Sequence, residues 1–291
     1  MAIIGLSPNI APNQFKLSNM ILGISSFTYG WAVSCHADKA GNAYEQLLIA
    51  KALDFGLKCL QIGDNLPVHT FDNKRLNELK SKLTEHGIRI EIGARGLTDK
   101  HLEKYILLAD YLGAPLLRFV IDDAGFEPDC ERVVRTIKNI LPELKARAIT
   151  LGIENHDRFK VNELAGIMEA VGDNHVGICL DCVNSMGAGE GLEYVADILS
   201  SYTVNLHIKD FTVTRLPHQM GFTVEGCPAG KGLTNVDLLM EKVGQYDRCQ
   251  SAILEQWVVP ESNIEATVEK EELWAQQSVD YLKQTNYFKL R

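Results

Sequence analysis

The stretch "ITLGIENHDRFKVNELAGIMEAVGDNHVGICLD", residues 149–181, contains the unit that decides the fold. It begins and ends with short apolar runs rich in β-branched residues, "ITLGIEN" and "HVGICLD". Between them, "VNELAGIMEAVG" has the spacing of an amphipathic helix that closes with a glycine. Parallel strands need a long crossover connection, because a tight turn can join only antiparallel strands. The order strand, helix, strand therefore predicts a parallel pair with a crossover helix.

The same alternation runs along the whole chain. Six further apolar runs, separated by helical patterns, are "MILGISSF" (20–27), "LKCLQIG" (57–63), "IRIEIGA" (88–94), "PLLRFVI" (115–121), "VNLHIKD" (204–210) and "SAILEQW" (251–257). Eight strand and helix units can close on themselves, so we predict an α/β fold, a (β/α)8 TIM barrel. The alternative is a doubly wound open sheet. Such a sheet normally carries a glycine-rich phosphate loop after its first strand, and "GISSFTYGW" does not match that pattern.

We interpret residues 1–291 as a single TIM-barrel domain, because one barrel commonly has this length. Residues 1–19 precede the first run and form a short N-terminal extension. The segment after Glu261, "NIEATVEKEELWAQQSVDYLKQ", predicts a closing helix. The largest spacing between strands holds "FTVTRLPHQMGFTVEGCPAGKGLTNVD", residues 211–237. Long excursions of this kind are often functional loops, and we expect one here.

Composition limits the classes of partner. The net charge of −9 would repel a phosphate backbone, so no nucleic-acid partner is expected. Apolar runs stay below the roughly 18 residues that a membrane-spanning helix needs, so no membrane partner is expected either. Seven cysteines, most of them in apolar segments, indicate reduced thiols and a cytoplasmic location. The exposed faces of the barrel helices leave room for a homo-oligomer.

Four consecutive runs deliver ionisable side chains to their C-terminal ends: Glu154, Asp181, His207 and Glu255. Active-site residues of TIM barrels come from these strand ends. Three buried carboxylates that face one another cost several kcal/mol unless a cation offsets their charge. We therefore predict that the four residues bind one divalent metal ion. The mostly hard ligand set favours Mn²⁺ or Mg²⁺ and leaves Zn²⁺, Fe²⁺ or Co²⁺ open.

Such an ion would keep coordination positions for the adjacent oxygens of a hydroxy-ketone, and it would stabilise an enediolate. A base is then needed, and the ligand carboxylates are the nearest candidates. This predicts a sugar isomerase or epimerase that acts on a keto-sugar or sugar derivative. A lyase, either a decarboxylase or a dehydratase of a keto-sugar acid, is the close alternative on the same metal site. A non-catalytic sugar-binding barrel is a third interpretation, which a missing ligand would favour.

The motifs "GIENH", "ICLDCVNS", "NLHIKD", "AILEQW" and "PAGKG" resemble the sugar phosphate isomerase/epimerase family of xylose isomerase-like barrels, over nearly the whole chain. In that family a Glu, Asp, His, Glu quartet binds one divalent ion, and the resemblance implies the same role for the quartet here. The family's epimerases use the first and last carboxylates to shuttle a proton, which implies catalytic roles for Glu154 and Glu255. The chain departs from the family at Asn184, where the epimerases and the related apurinic endonucleases commonly have a histidine. The missing histidine argues against three-zinc endonuclease chemistry.

Further polar residues near the strand ends are candidates for substrate contacts. Strand alternation points Lys209 to the same face as His207. An arginine inside the apolar run "LLRFV" is costly unless it faces the barrel mouth or a carboxylate. For each candidate a solvated or purely structural role is the alternative. No phosphate loop is evident beyond "PAGKG", so the phosphorylation state of the substrate stays open. The predicted substrate-binding residues are Arg118, His156, Asn184, Lys209, Arg215 and His218.

Overall fold

A computed structural model describes residues 20–34, 44–285 and 287–288. Within these residues, eight parallel strands close a barrel in the order β1-β2-β3-β4-β5-β6-β7-β10, which confirms the predicted TIM-barrel fold. The remaining two strands, β8 and β9, form a separate two-stranded sheet. The strands are β1 (Ile21–Ser25), β2 (Cys59–Ile62), β3 (Arg89–Arg95), β4 (Leu116–Val120), β5 (Thr150–Glu154), β6 (Val176–Asp181), β7 (Thr203–Ile208), β8 (Asp210–Arg215), β9 (Phe222–Cys227) and β10 (Ser251–Leu254).

Helices cover the outside of the barrel, and several begin and end where the sequence provides caps. Asp129 accepts a hydrogen bond from the backbone N–H of Arg132 at the start of α5, and Gly172 ends α6 in the left-handed conformation. The predicted closing helix is confirmed as α9. The helices are α1 (Gly30–Ser34), α2 (Tyr44–Asp54), α3 (Asn73–His86), α4 (Asp99–Leu112), α5 (Cys130–Ala146), α6 (Val161–Val171), α7 (Leu192–Leu199), α8 (Val236–Gly244) and α9 (Ile264–Gln284).

The barrel strands are buried on both faces. Every residue of β4, β6 and β7 is buried, because the barrel interior covers one face and the helices cover the other. This explains why the strands appear in the sequence as almost unbroken apolar runs. An ionisable side chain in such a strand is desolvated unless it lies at the barrel mouth, so the polar residues of these strands indicate where the site is.

The long segment between the seventh and eighth barrel strands contains a β-hairpin, which the sequence analysis did not predict, and its functional role stays a prediction. Strands β8 and β9 pair antiparallel from Asp210 with Cys227 to Arg215 with Phe222. The alternation of Val and Thr in "FTVTR" and "FTVEG" carries the period-two signal of strands. The hairpin follows β7 directly, so it rises from the same barrel end that carries His207.

One buried carboxylate holds the base of this hairpin to the chain that leads into α8. Both side-chain oxygens of Asp210 accept hydrogen bonds from backbone N–H groups, at 2.8 to 3.2 Å. Asp210 therefore organises the "PAGKG" turn from inside. The five N–H donors belong to Phe211, Gly230, Lys231, Gly232 and Thr234.

We expect Asp210→Ala to lower the free energy of unfolding by about 3 kcal/mol, because several buried N–H groups lose their acceptor at once. Urea unfolding at equilibrium measures the loss. The matched control is Asp197→Ala, which removes a carboxylate from an exposed ion pair with Lys242 and should cost about 0.5 kcal/mol or less. Equal effects of the two substitutions would contradict the structural role of Asp210.

Two further observations concern the cysteines and membrane-spanning helices. The six cysteines in the described part of the chain are free thiols. Among the residues that the structure covers, no helix is both long and apolar enough to cross a membrane. The predicted N-terminal extension, residues 1–19, lies outside the described residues.

Candidate metal centre

The structure brings the four predicted ligands together at one end of the barrel. Glu154 ends β5, Asp181 ends β6, His207 lies near the end of β7, and Glu255 directly follows β10. These strands are consecutive neighbours in the barrel wall, so their C-terminal ends meet at one rim. Each of the four residues is at most 2% exposed.

The imidazole of His207 lies between the three carboxylates. Its Nδ1 atom is 3.5 Å from Glu255 Oε1, 3.7 Å from Asp181 Oδ2 and 3.8 Å from Glu154 Oε2. Ligand atoms of Asp181, His207 and Glu255 lie within 4.8 Å of one another. Oxygens of all three carboxylates therefore lie within 3.8 Å of one imidazole nitrogen.

The hydrogen bonds of His207 fit a metal ligand. Its Nε2 atom is 2.8 Å from the amide oxygen of Gln61. An amide oxygen only accepts, so Nε2 carries a proton, and a metal ion would take the place of the second proton of the imidazolium at Nδ1, which faces the carboxylates. Nδ1 is buried and has no hydrogen-bond partner among the described residues. A buried nitrogen of this kind, beside three carboxylate oxygens, suits a divalent cation with hard or borderline character.

Two cations of the protein already contact these carboxylates. Lys209 Nζ lies 2.7 Å from Asp181 Oδ2 and 3.1 Å from Glu255 Oε2. Arg118 donates from Nε to Glu154 Oε2, and its Nη1 lies 2.6 Å from Asp64 Oδ1. The buried guanidinium of Arg118 is therefore paired with two carboxylates, which offset the free-energy cost of removing its charge from water.

The charges within this cluster favour the ionised forms of Asp181, Glu255 and Lys209. Burial alone would raise the pKa of Asp181, but the charges of Lys209 and His207 lower that pKa below its usual range. Burial would likewise raise the pKa of Glu255, but His207 and Lys209 lower it. For Lys209, burial would lower the pKa, but Asp181 and Glu255 raise it. The site therefore holds ionised carboxylates beside a charged lysine.

Asn184 links the ligands instead of standing free. Its side-chain nitrogen donates to Glu154 Oε1 at 2.8 Å, and its side-chain oxygen accepts from Lys209 Nζ at 3.3 Å. Its backbone N–H donates to Asp181 Oδ1 at 2.9 Å. The residue in the place of the family's usual histidine thus fixes Glu154 and Lys209.

The remaining predicted substrate residues lie outside this cluster. His156 Nδ1 is 3.3 Å from Asp157 Oδ2, on a partly exposed part of the rim. Arg215 donates to the carbonyl of Gln219 and lies over the ring of Phe222, and His218 accepts from the N–H of Met220. Within the described residues, no hydrogen bond or ion pair joins these three to the four predicted ligands. The rigid pairing of β8 and β9 holds Arg215 and His218 at the turn end of the hairpin.

Cys179 is a further potential ligand, close to Glu154 and His207. Its Sγ donates to Asn205 Oδ1 at 3.0 Å, and burial raises the pKa of its thiol. Its thiol hydrogen is already used in this hydrogen bond, and hard divalent ions prefer oxygen ligands to sulfur, so the carboxylates are the better ligand set.

Sequence reasoning missed two side chains that touch the cluster. Gln61 contacts His207, and Ser25 Oγ lies 3.2 Å from Glu255 Oε1 as a donor. Both lie inside or at the end of apolar runs. The amide within "LKCLQIG" was the available signal, since a buried amide needs partners across the barrel.

Comparisons with known proteins agree with this architecture. A family profile described as "Xylose isomerase-like TIM barrel" matches residues 49–285. The chain is 30% identical over 268 residues to the 3-oxo-isoapionate decarboxylase of Pectobacterium atrosepticum, covering 92% of this chain and 96% of the relative.

Solved structures share the fold. The D-psicose 3-epimerase of Clostridium cellulolyticum H10 with D-tagatose has a TM-score of 0.68 at 17% identity, covering 92% of this chain and 99% of that one. A xylose isomerase-like TIM barrel protein of Mycobacterium smegmatis in complex with magnesium has a TM-score of 0.63 at 13% identity, covering 90% and 98%. The decarboxylase and the epimerase act on small sugar-like molecules. With a profile that matches most of its length, the chain belongs to the xylose isomerase-like TIM barrel family.

Proposed function

We propose that the chain is a divalent-metal-dependent decarboxylase of a 3-oxo sugar acid. One observation carries this proposal. All four carboxylate oxygens of the two candidate bases, Glu154 and Glu255, already have a hydrogen-bond or ion-pair partner. Glu154 is engaged by Asn184 and Arg118, and Glu255 by Ser25 and Lys209. These donors and cations occupy the oxygen lone pairs with which a base would accept a proton from carbon. Loss of CO₂ needs no base to remove a proton from carbon, whereas isomerisation does.

The reaction balances with the groups at the site. The bond between the carboxyl carbon and carbon 2 breaks, its electron pair moves towards the 3-oxo oxygen, and carbon 2 then takes up one proton. A divalent ion held by Glu154, Asp181, His207 and Glu255 would supply the Lewis acid for the 3-oxo oxygen. Lys209 carries an ammonium proton beside these residues, and a divalent ion on Asp181 and Glu255 would offset the carboxylate charges that raise the lysine's pKa, which makes it a stronger acid. Its side chain is 14% exposed, so solvent can restore the proton.

The "PAGKG" turn supports an unphosphorylated substrate. Loops after the seventh and eighth strands of TIM barrels frequently bind phosphate through backbone N–H groups. Here the N–H groups of Gly230, Lys231 and Gly232 already donate to Asp210. A phosphate would have to displace a buried carboxylate that these donors satisfy.

An isomerase or epimerase is the second candidate. Glu154 and Glu255 come from β5 and β10, which lie on either side of β6 and β7 in the barrel. Carboxylates on opposite sides of a bound sugar suit removal and return of a proton on different faces. A sugar-binding barrel without catalysis is less favoured, because the full set of candidate ligands converges.

The test uses the Mn²⁺-loaded protein with 3-oxo-isoapionate and with a panel of ketoses, each in D₂O. We expect release of CO₂ from the 3-oxo acid. We also expect one deuterium on the product carbon that was carbon 2 of the acid, because that carbon takes its new proton from a group that exchanges with solvent. Gas analysis and proton NMR measure both. Deuterium in an intact ketose without CO₂ release would instead support the isomerase. Neither product, with sugar binding retained, would support the binding barrel.

A further inference from the structure

Buried polar side chains form a network inside the barrel, next to the candidate metal centre. Its members are Gln61 on β2, Glu91 on β3, Asn205 on β7 and Ser251 on β10, each at most 1% exposed. A buried polar side chain costs free energy unless it is hydrogen-bonded, and these four side chains supply partners to one another. The network touches the metal centre at one atom, because Gln61 Oε1 lies 2.8 Å from His207 Nε2.

Glu91 sets the direction of the hydrogen bonds in this network. An ionised carboxylate only accepts. Ser251 Oγ donates to Glu91 Oε1 at 2.6 Å. Gln61 Nε2 and Asn205 Nδ2 donate to Glu91 Oε2 at 3.1 and 3.3 Å. Arg89 Nε lies 3.2 Å from Glu91 Oε1, which provides the counter-charge for an ionised Glu91.

This direction fixes the amide of Gln61. Its nitrogen is held by Glu91, and it also donates to Asn205 Oδ1 at 3.1 Å. The amide oxygen must then face His207. Because that oxygen only accepts, Nε2 of His207 has to carry a hydrogen, so the nitrogen that would lose its proton to bind a metal is Nδ1, on the carboxylate side of the ring.

We propose that Glu91 and Gln61 are positioning residues that set the tautomer and the orientation of His207 for divalent-metal binding. The inference rests on the metal centre of the proposed function. Glu91 touches neither substrate nor metal ligand directly, and it acts through the amide of Gln61. Partners of this kind orient metal-bound histidines in proteins generally.

The variant that tests this proposal is Glu91→Gln. It keeps the size of the side chain, and it can reverse the hydrogen bond between Gln61 and residue 91 because one acceptor oxygen becomes a donor N–H group. The new amide can donate to the oxygen of Gln61, and Gln61 then turns its own N–H groups towards His207 Nε2. We expect the affinity for Mn²⁺ to fall by about 10-fold to 100-fold, because the Nε2–H form of the ring is no longer favoured. The matched control is Ser251→Ala, which removes one donor to the same carboxylate and leaves the direction of Gln61 unchanged. Its Mn²⁺ affinity should stay within about threefold of the parent.

Two readouts do not depend on catalysis. Titration of metal-free protein with Mn²⁺, followed by electron paramagnetic resonance of free Mn²⁺, gives the affinity. Nitrogen NMR of ¹⁵N-histidine protein saturated with Mg²⁺ shows whether His207 Nε2 carries a hydrogen, as expected for the parent and for Ser251→Ala. If Glu91→Gln does not fold, Gln61→Met removes the acceptor and gives the same comparison.

Parental affinity together with an unchanged Nε2–H signal in Glu91→Gln would overturn the inference. Equal losses of affinity in Glu91→Gln and Ser251→Ala would also overturn it, because they would show a general effect of core packing. The release of CO₂ plays no part in either readout. A failure of the decarboxylase proposal is therefore seen separately from a failure of this one.

Discussion

Asp181→Asn is expected to abolish binding of the divalent ion and to lower kcat/KM by about a thousandfold or more, since metal-ion catalysis is worth several kcal/mol. Asp181 Oδ1 accepts from the backbone N–H groups of Val183 and Asn184, at 2.9 Å each. The oxygen of an asparagine has to keep this place. Its nitrogen then lies where Oδ2 now faces Lys209 Nζ at 2.7 Å. The asparagine nitrogen and Lys209 Nζ are both donors, so they cannot hydrogen-bond to each other. The metal would also lose an anionic ligand.

Equilibrium dialysis against Mn²⁺ measures the bound metal per chain, and CO₂ release measures activity. Asp173→Asn is the matched control, because Asp173 precedes the same strand, β6, at its opposite end and pairs with Lys145. The control should keep both metal and activity. One tightly bound Mn²⁺ per chain in Asp181→Asn would show that the metal lies elsewhere. Circular dichroism checks that both variants are folded.

The barrel and the four candidate ligands could be predicted because position along a strand gives position in space. The run at 175–181 became β6 (Val176–Asp181), and the run at 149–155 became β5 (Thr150–Glu154). Parallel strands buried on both faces are apolar almost throughout, so their polar ends stand out. In a closed barrel these ends share one rim, and no knowledge of pairing register is needed to bring Glu154 near Asp181.

The other features of the site depend on contacts between residues that are far apart in the sequence, and a sequence pattern does not show such contacts. Gln61 meets His207 across the barrel, 146 positions further along the chain. Nothing in either run indicates that this amide pairs with that imidazole. The hairpin was missed for a different reason, since β8 follows β7 after a single residue and the two were interpreted as one strand with a loop. Arg215 was predicted to lie in a loop, and the structure places it at the end of β8, paired with Phe222, while His218 lies in the turn that follows; their predicted contact with substrate stays a prediction.

Two cationic side chains at the site, Arg118 and Lys209, affect which reaction the predicted ligands can support. Arg118 and Lys209 offset part of the charge of Glu154, Asp181 and Glu255. A divalent ion would add to this field, and the carboxylates would become weaker bases still. A site with such carboxylates suits a reaction that ends in protonation of carbon more than one that begins with its deprotonation. Such a reaction needs a proton donor near the reacting carbon, and Lys209 is the candidate donor.

Lys209→Met is therefore expected to lower kcat by about 100-fold to 10,000-fold, the range for loss of a general acid. The affinity for Mn²⁺ should not fall. Lys209 Nζ lies 2.7 Å from Asp181 and 3.1 Å from Glu255, so its charge repels a cation bound by those carboxylates. Methionine keeps an unbranched side chain and removes the charge. Lys231→Met, at an exposed lysine of the "PAGKG" turn, is the matched control and should keep parental kcat.

Steady-state rates of CO₂ release and Mn²⁺ titrations of the same preparations separate the roles that Lys209 can have. A proton donor lowers kcat and leaves metal affinity intact or higher. A residue that only orders the ligands lowers metal affinity and kcat together, and saturating Mn²⁺ then restores the rate. A parental kcat in Lys209→Met would assign the proton to another group. Loss of kcat that excess Mn²⁺ does not restore is the result that a decarboxylase with this geometry requires, because the charge of Lys209 opposes the metal and its proton completes the product.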